Sequence, residues 1–449
     1  MTVDLRILER VDVPASLDVV ERASWARMDW RVGRASATRI RREESERQTI
    51  AIPAASIAAW MLENWWSLLY ELAPAGAEGI SAPWQSLDAA SEGWRVRHSM
   101  RTADSGLFLP DLRICSNGPA VTWSLRPDMA QGARSVCFLD EAEVVTDRSV
   151  AIRVMGDFVG WNLEALRDCH ADAADWLRAR WDAVLTATNL DAGEFCRAAG
   201  RMGLDPHDTS DWPAHLLDWM TAAPPGTLDS AFSVDLLNFA GSVDDLPGVH
   251  AALSQLVEKY QLGGSVVPLQ WGEPPATGAG QAAPPFTIGY ERAERLRRQA
   301  KFADEQPVED LARVVHDGVG LAFKSADASL VGPFAAVTGW ANGSPWVISR
   351  RTGAARRRTK RFSLARGLFL ALWSSDRGPR VASDAKDRDQ QAARAFAAEL
   401  LAPRRIVEQR VDAFRRDRPL DEAFADVADE FDVDEPVVVH QYRNASEGR

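Results

Sequence analysis

Apolar residues that recur at three- and four-residue steps dominate the middle of the chain and predict helices there. Residues 161–261 show this spacing, for example in LEALRDCHADAADWLRARWDAVL, and it places the apolar side chains on one helix face. The most apolar stretch, 51–72, has the same spacing but is interrupted by Glu63 and Glu71. Because a charge near a bilayer centre costs about 2.5–3.5 kcal/mol, we expect a buried amphipathic helix here and no membrane association.

Short runs of alternating apolar and polar residues predict strands before residue 160. In GLFLPDLRICSNGPAVTWSLRP, two β-rich runs flank Ser-Asn-Gly-Pro, which is a hairpin signal because Asn-Gly accommodates positive φ. Two more short runs lie on either side of Thr146 and Asp147. With the helix predicted in 51–72, these runs indicate an α+β unit with an antiparallel sheet.

The chain of 449 residues is long enough for more than one domain. Residues 262–286 are dense in Gly, Pro and Ala without any period, which predicts a linker or long loop. The predicted fold class is therefore multidomain α+β. It comprises a β-rich α+β unit over 1–160, a helical region over 161–261, the linker over 262–286, and a C-terminal domain with a helical tail over 287–449.

Composition and cysteine usage indicate a cytoplasmic protein. The chain is 46% hydrophobic and 26% charged, which is ordinary for a soluble globular protein. Its four cysteines are widely spaced and form no CxxC pair, so neither a disulfide framework nor a thiolate zinc site is expected. The N-terminus MTVDLRILERVDVP has acids where a signal peptide has its apolar core. The net charge of −12 opposes generic attraction to nucleic-acid phosphates.

After the linker, the pattern predicts the order helix, helix, hairpin, helix, helix. Two amphipathic segments lie in ERAERLRRQAKFADEQPVEDLARVVHDGVGLAF. PFAAVTGWANGSPWVISR then indicates two strands joined by Ala-Asn-Gly-Ser, and RRRTKRFSLARGLFLALW indicates a helix. The segment DRDQQAARAFAAELLAPRRIVEQRV is a further predicted helix, which Pro403 ends.

This order resembles the ImmA/IrrE family of metallopeptidase domains over about residues 290–411. KRFSLA is similar to the family's QRFTLAHELGH, and AARAFAAELLAP is similar to its EANAFAAELLMP. The resemblance implies a zincin-like C-terminal domain. In an HExxH helix the two histidines share one face and bind Zn²⁺, and the glutamate acts as general base. A carboxylate from the following helix completes the family's site.

None of these functional residue types stands at the matching positions of this chain. Alignment on FSLA puts Arg366 at the first histidine, Gly367 at the glutamate and Leu370 at the second histidine. The carboxylate ligand falls on Gln390, and an asparagine of the family's last motif falls on Arg394. Arginine is a permanent cation, leucine has no lone pair and glutamine has no charge. We therefore expect no metal, no cofactor and no peptidase activity at this site.

The favoured interpretation is a catalytically inactive, bacterial ImmA/IrrE-like protein that acts in regulation or sensing. Arg366 and Arg394 would line the former groove and bind a protein, peptide or anionic ligand through forked hydrogen bonds. The competing interpretation is that both arginines pair with nearby acids such as Asp387 or Asp389. Because active family members cut repressors, the resemblance implies a protein partner, for which a transcriptional regulator is one candidate.

Two other functions stay open. The first is an enzyme, a peptidase or another hydrolase, with its site in residues 1–160. Its weak candidates, His98 and Ser99, would point to opposite faces of a strand. The second is a nucleic-acid-associated regulator that uses the basic run 350–366. This function is less favoured, because a run of charges is usually a solvated surface segment. The candidate basic patch in this run comprises Arg350, Arg351, Arg356, Arg357, Arg358, Lys360 and Arg361, and Arg366 is the last basic residue of the run.

Overall fold

The fold is known from a computed structural model, which shows two compact units, Met1–Asp229 and Ser230–Arg449. The described residues are 2–14, 17–43, 45–74, 89–128, 136–189, 192–239, 245–261, 284–321, 323–350, 357–373 and 378–447. The division between the units falls inside the predicted helical region, and most of the predicted linker lies outside the described residues. The predicted domain boundaries therefore stay predictions. Within the described ranges, no helix combines the length and apolarity needed to span a bilayer.

Strands of the first unit form antiparallel sheets, as its alternating patterns predict. In the described part, β1, β2, β3 and β6 form one sheet, β7, β8 and β10 a second, and β4, β5 and β9 a third. Their bounds are β1 Val3–Arg10, β2 Trp25–Val32, β3 Ala35–Ser36, β4 Ile40–Arg42, β5 Ser45–Arg47, β6 Ile50–Pro53, β7 Asp111–Asn117, β8 Ala120–Arg126, β9 Val136–Phe138 and β10 Ala142–Asp147. The predicted hairpin is confirmed as β7–β8, and Gly118 in its turn has a φ of 71°.

The helices of the first unit lie between and after these strands. Their bounds are α1 Val19–Ser24, α2 Ala55–Glu63, α3 Trp65–Tyr70, α4 Ala89–His98, α5 Arg148–Ala165, α6 Asp172–Asn189, α7 Ala192–Arg201 and α8 Ala214–Ala222. A short 3-10 turn covers Met100–Thr102. The helices predicted after residue 161 are thus confirmed in α6 and α7.

The stretch 51–72 is buried as predicted but is not one helix. It begins with the end of β6 and then divides into α2 and α3 at Asn64. The Asn64 side chain donates through Nδ2 to the Trp60 carbonyl oxygen at 2.8 Å, and its own N–H donates to the same oxygen at 3.1 Å. An asparagine that binds nearby backbone in this way competes with the helical ladder, which ends α2 there.

The second alternating run near Thr146 is a helix, so its prediction as a strand was wrong. It forms the start of α5, in which Ala151, Val154, Met155 and Phe158 are buried. These positions follow the three- and four-residue spacing of a helix face, whereas the pattern was interpreted with a period of two. The buried face is anchored by Phe158, whose ring lies 6.0 Å from that of Trp30 in β2, edge to face.

The second unit combines helices with a mixed sheet of order β11-β13-β12-β14. Its strands are β11 Lys324–Ala328, β12 Ala336–Ala341, β13 Ser344–Arg350 and β14 Arg380–Ala382. Its described helices are α9 Ala231–Leu237, α10 Leu246–Gln261, α11 Pro285–Gln299, α12 Leu311–Val319, α13 Arg357–Trp373, α14 Arg388–Leu401, α15 Arg404–Phe414, α16 Leu420–Phe431 and α17 Glu435–Glu447. The sequence pattern did not indicate β11 or β14.

The predicted hairpin and the two predicted helices that follow it are confirmed. Asn342 and Gly343 link β12 to β13 with φ values of 54° and 71°, the two positive values of a type I′ turn. Helix α13 then packs on this sheet, and Trp340 Nε1 donates to the Ala371 carbonyl oxygen at 2.7 Å. Phe369 and Phe396 bring α13 and α14 together, with ring centroids 5.5 Å apart.

Two glycine substitutions of the same kind should change stability in opposite directions. A Cβ at Gly200 in α7 would lie 2.5 Å from the Trp66 carbonyl oxygen. Gly200→Ala should therefore lower the free energy of unfolding by about 1–3 kcal/mol through overpacking. Gly160 in α5 has nothing within 4 Å of such an atom, so Gly160→Ala should raise stability by about 0.5–1 kcal/mol.

Urea unfolding monitored by tryptophan fluorescence measures both changes. Equal shifts for the two variants would show that the close approach of α7 to α3 is not present in solution.

Candidate functional site

Helix α13 carries Arg366 on the side that faces β14 and α14. The side chain is 5% exposed, and its Nη1 lies 3.2 Å from Asp384 Oδ1. Its Nη2 donates to the Ser383 carbonyl oxygen and lies 3.4 Å from Gln390 Oε1. Burial, and then the charge of Arg394, lower the pKa of Arg366 to about 10. The guanidinium is thus a buried cation held mainly by neutral oxygens and by one carboxylate.

Gln390 is fully buried in the first turn of α14 and ties that helix to β14. Its Nε2 donates to the Val381 carbonyl oxygen at 2.6 Å, and its Oε1 accepts from the Ser383 N–H at 3.1 Å. The amide therefore uses both its donor and its acceptor side within the protein.

A second buried ion pair lies next to this amide. Asp235 in α9 is 1% exposed and accepts from Arg380 Nε at 2.7 Å and Nη2 at 3.0 Å. It also accepts from the Val381 N–H at 2.9 Å, and Arg380 Nη1 donates to Asp389 Oδ2 at 2.9 Å. Asp235 is not among the site residues predicted from the sequence, because it lies 145 residues before its partner Arg380 and in no recognisable motif.

One carboxylate oxygen of Asp387 caps the N-terminus of α14, and the other is buried. Its Oδ1 accepts from the Gln390 N–H at 2.8 Å, whereas Oδ2 is buried and has no hydrogen-bond partner among the described residues. Burial raises the pKa of Asp387 to about 7, and the charges of Asp235 and Asp389 act in the same direction. This carboxyl group therefore titrates near neutral pH.

The structure brings together three of the predicted site residues, Arg366, Gln390 and Arg394. Arg394 Nη2 donates to the Ala385 carbonyl oxygen at 3.0 Å, and its Nη1 lies 3.4 Å from that of Ser383. The competing interpretation, that the arginines pair with nearby acids, is borne out for Arg366, although the acid is Asp384 and not Asp387 or Asp389.

Gly367, at the position aligned with the general base, faces β13. A Cβ there would lie 2.5 Å from Val347 Cγ1, so a glutamate does not fit unless the Val347 side chain moves. Leu370, at the position aligned with the second histidine, is 1% exposed within the apolar core. In the described residues, no group of three or more His, Cys, Asp and Glu side chains is placed to hold a metal ion. These positions therefore do not fit the zinc site that the resemblance implies.

Three arginines of the basic run pair with acids at the end of α16 and directly after it. Arg357, Arg358 and Arg361 each form an ion pair with Asp432, with N–O distances of 3.1, 3.3 and 2.6 Å. Arg350 Nε donates to the Phe334 carbonyl oxygen at 3.1 Å. Two further members of the predicted patch, Arg351 and Arg356, lie outside the described residues.

His98 and Ser99, the candidates for a separate hydrolase site, have different partners. His98 is fully buried at the end of α4, with Nδ1 2.6 Å from the Ile114 carbonyl oxygen and Nε2 3.0 Å from Glu71 Oε2. Ser99 Oγ donates to Asp111 Oδ1 at 2.8 Å. The two side chains thus do not form a nucleophile–base pair with each other.

Comparison with known proteins adds no family assignment. No protein-family model matches the sequence, and the curated proteins give no match. The predicted order of two helices, a hairpin and two helices is present in α11 to α14. Membership of the ImmA/IrrE family remains a prediction from the motifs KRFSLA and AARAFAAELLAP.

The contacts of Arg366 predict that replacing Arg366 lowers stability more than replacing Asp384, the other member of its ion pair. Arg366→Met should lower the free energy of unfolding by about 1–3 kcal/mol, because it removes the donor that satisfies the buried Ser383 carbonyl. Asp384 is 76% exposed, so Asp384→Asn should cost less than about 1 kcal/mol. Denaturant unfolding compares the variants, and equal losses would show that the ion pair, not the carbonyl contact, holds the arginine.

The contact of α13 with β13 predicts coupling between Gly367 and Val347. Gly367→Ala should destabilise the wild-type protein by about 1–3 kcal/mol, because the added methyl group meets Val347. In a Val347→Ala background the same substitution should cost much less, since the opposing methyl groups are gone. A double-mutant cycle of unfolding free energies measures this coupling, and additive effects would contradict the packing.

The raised pKa of Asp387 predicts a pH-dependent contribution to stability. The folded state keeps the proton up to about pH 7, whereas the unfolded chain releases it near pH 4. Stability from this group is therefore full at low pH and is lost as the pH rises from about 4 to 7. Relative to Asp387→Asn, which keeps a helix-capping side chain, the wild type should lose on the order of 1–3 kcal/mol over that range.

Unfolding free energies at pH 5 and pH 8 provide the measurement. Burial also raises the pKa of Glu399 to about 7. Because Glu399 is present in both proteins, its effect on stability cancels in the difference between them. A difference between the proteins that stays constant with pH would contradict the assignment to Asp387.

Proposed function

We propose that residues 287–449, within the unit Ser230–Arg449, form a catalytically inactive, ImmA/IrrE-like binding domain of a bacterial regulatory or sensing protein. The observation that carries the proposal is the buried guanidinium of Arg366 at the position aligned with the first metal-binding histidine. A permanent cation there excludes a dication by repulsion, and the neighbouring Ser383 and Gln390 oxygens are bound to it. The chemistry of these residues supports binding and not metal-assisted hydrolysis.

The exposed charges at this site favour a protein or peptide ligand that presents a basic side chain. Asp384 and Asp389 are the accessible carboxylates, with side chains 76% and 47% exposed. The guanidinium groups of Arg366 and Arg380 lie behind them, 5% and 7% exposed. A ligand from solvent meets the acids first, whereas an anion must displace Asp384 from Arg366.

The nucleic-acid alternative receives less support from the described residues. Arg357, Arg358 and Arg361 all pair with Asp432, and Arg358 pairs in addition with Asp429 at 2.6 Å, so two carboxylates offset part of their charge. Binding to a phosphate backbone depends on cations that can exchange their counterions for phosphates. Arginines already paired with Asp429 or Asp432 contribute less to such binding.

Zinc uptake and proteolysis test the inactive state directly. Metal-free full-length protein incubated with Zn²⁺ and dialysed should retain no stoichiometric zinc and should not cleave an unfolded protein substrate. Arg366→His combined with Leu370→His and Gln390→Glu should gain zinc, because it provides two imidazoles and a carboxylate. Arg366→His alone is the matched control and should not gain it. Cleavage by the wild type that a chelator abolishes would overturn the proposal.

Peptide binding tests the ligand class. Two labelled peptide pools of equal length, one rich in Lys and Arg and the other in Asp and Glu, are compared by fluorescence anisotropy at low salt. The basic pool should bind more tightly, and Asp384→Asn with Asp389→Asn should weaken it, whereas Asp421→Asn on α16 should not. Preference for the acidic pool would favour an anionic ligand at Arg366 and Arg394 instead.

A further inference from the structure

Two arginines of the first unit, Arg148 and Arg201, lie against the ring of Tyr70 at the end of α3, and a third, Arg197, lies nearby. The guanidinium carbon of Arg148 lies 4.1 Å from the ring centroid and that of Arg201 lies 5.2 Å from it. Arg197 precedes Arg201 by about one turn of α7 and pairs with Asp229. Tyr70 is 9% exposed and stacks on Trp66, with centroids 6.0 Å apart. The ring is therefore a fixed platform between cations from two helices.

These arginines have too few negative partners. Arg197 Nε donates to Asp229 Oδ2 at 2.9 Å, and Arg201 Nη1 lies 3.4 Å from Asp229 Oδ1. Arg148 donates to the carbonyl oxygens of Leu69 and Gly118, which are neutral. Within the described residues, one carboxylate thus serves two of the guanidiniums and the third has no ion-pair partner.

The nearby Glu194 does not hydrogen-bond to the arginines. Its two carboxylate oxygens accept from the N–H groups of Gly226 at 2.7 Å and Asp229 at 3.0 Å, and also from that of Leu228. The side chain of Arg201 is only 11% exposed, and burial lowers the pKa of both Arg201 and Arg148. A desolvated cation that lacks full compensation is costly to the fold, and an external anion would remove that cost.

We propose that this cluster binds a phosphoryl group, as free phosphate or as a phosphate monoester. The group takes the place of Asp229, whose side chain is 30% exposed and can turn toward water. The three positive charges of the guanidiniums are then balanced by the two negative charges of the phosphoryl group and the one of Glu194. A tetrahedral dianion accepts from donors in three directions, which suits this cluster better than a planar carboxylate, and guanidinium groups bind phosphate through paired hydrogen bonds.

Isothermal titration of the full-length protein with inorganic phosphate, glycerol phosphate and acetate tests this site. Saturable binding of one or both phosphates, tighter than that of acetate, is the expected result. Binding of inorganic phosphate alone would identify the free ion as the ligand, and binding of both would extend the site to monoesters. Tighter binding of acetate, or no saturable binding of any probe, would overturn the proposal.

Substitutions locate the site and separate ligand binding from a purely structural role. Arg201→Gln should weaken phosphate binding about tenfold or more, since it removes a charged hydrogen-bond donor. Arg126→Gln, which makes the same change in an exposed pair with Glu141, should leave it unchanged. Asp229→Asn should tighten binding several-fold, because the competing carboxylate is gone.

The sign of the Asp229→Asn effect is decisive even if Arg201→Gln does not fold. If Asp229 is only the structural partner of Arg197 and Arg201, its loss lowers the thermal midpoint and phosphate does not restore it. If the cluster binds phosphate, added phosphate raises the midpoint of Asp229→Asn more than that of the wild type. Weaker phosphate binding by Asp229→Asn would overturn the proposal.

Discussion

The burial of a guanidinium at residue 366 is the constraint on which the C-terminal unit depends. An arginine cannot lose its charge at any ordinary pH, so a buried one requires acceptors on more than one side. The segment after β14 supplies them through the Ser383 carbonyl and Asp384, and α14 supplies Gln390. One side chain of α13 therefore fixes how the next strand and helix lie against it, which is a role that a metal ion plays in other proteins.

The charged groups of this region differ in their exposure to water. Asp235 is buried and meets Arg380 in a forked pair, so its negative charge is compensated. Asp387 is buried between carboxylates, and its raised pKa favours the neutral form. Asp384 is largely exposed, and Asp389 is about half exposed. A buried polar network of this kind is stable only if nearly all of its members have hydrogen-bond partners. Asp384 and Asp389 are the members of this network that contact solvent.

Local sequence patterns predicted most of the helices and strands around the site, whereas contacts between residues far apart in sequence determine which side chains form the site. Helices α13 and α14 and the hairpin β12–β13 followed from periodicity and from Asn342-Gly343, because each depends on residues close in sequence. Their packing brought Arg366 and Gln390 together as the motifs implied. Asp235 could not be predicted, since nothing near it in sequence indicates a partner 145 residues away. The start of α5 was misread because a short apolar run fits both a strand and a helix until its buried face is known.

The way in which Asp235 and Gln390 bind Val381 also determines how the sheet ends. Both main-chain polar groups of Val381 are occupied, its N–H by Asp235 and its carbonyl by Gln390. Edge strands with unpaired backbone groups act as templates on which other chains can add and grow into fibrils. Here two side chains take the place of a neighbouring strand at the centre of β14. The ion network that holds the cation therefore also protects this border of the sheet from self-association between molecules.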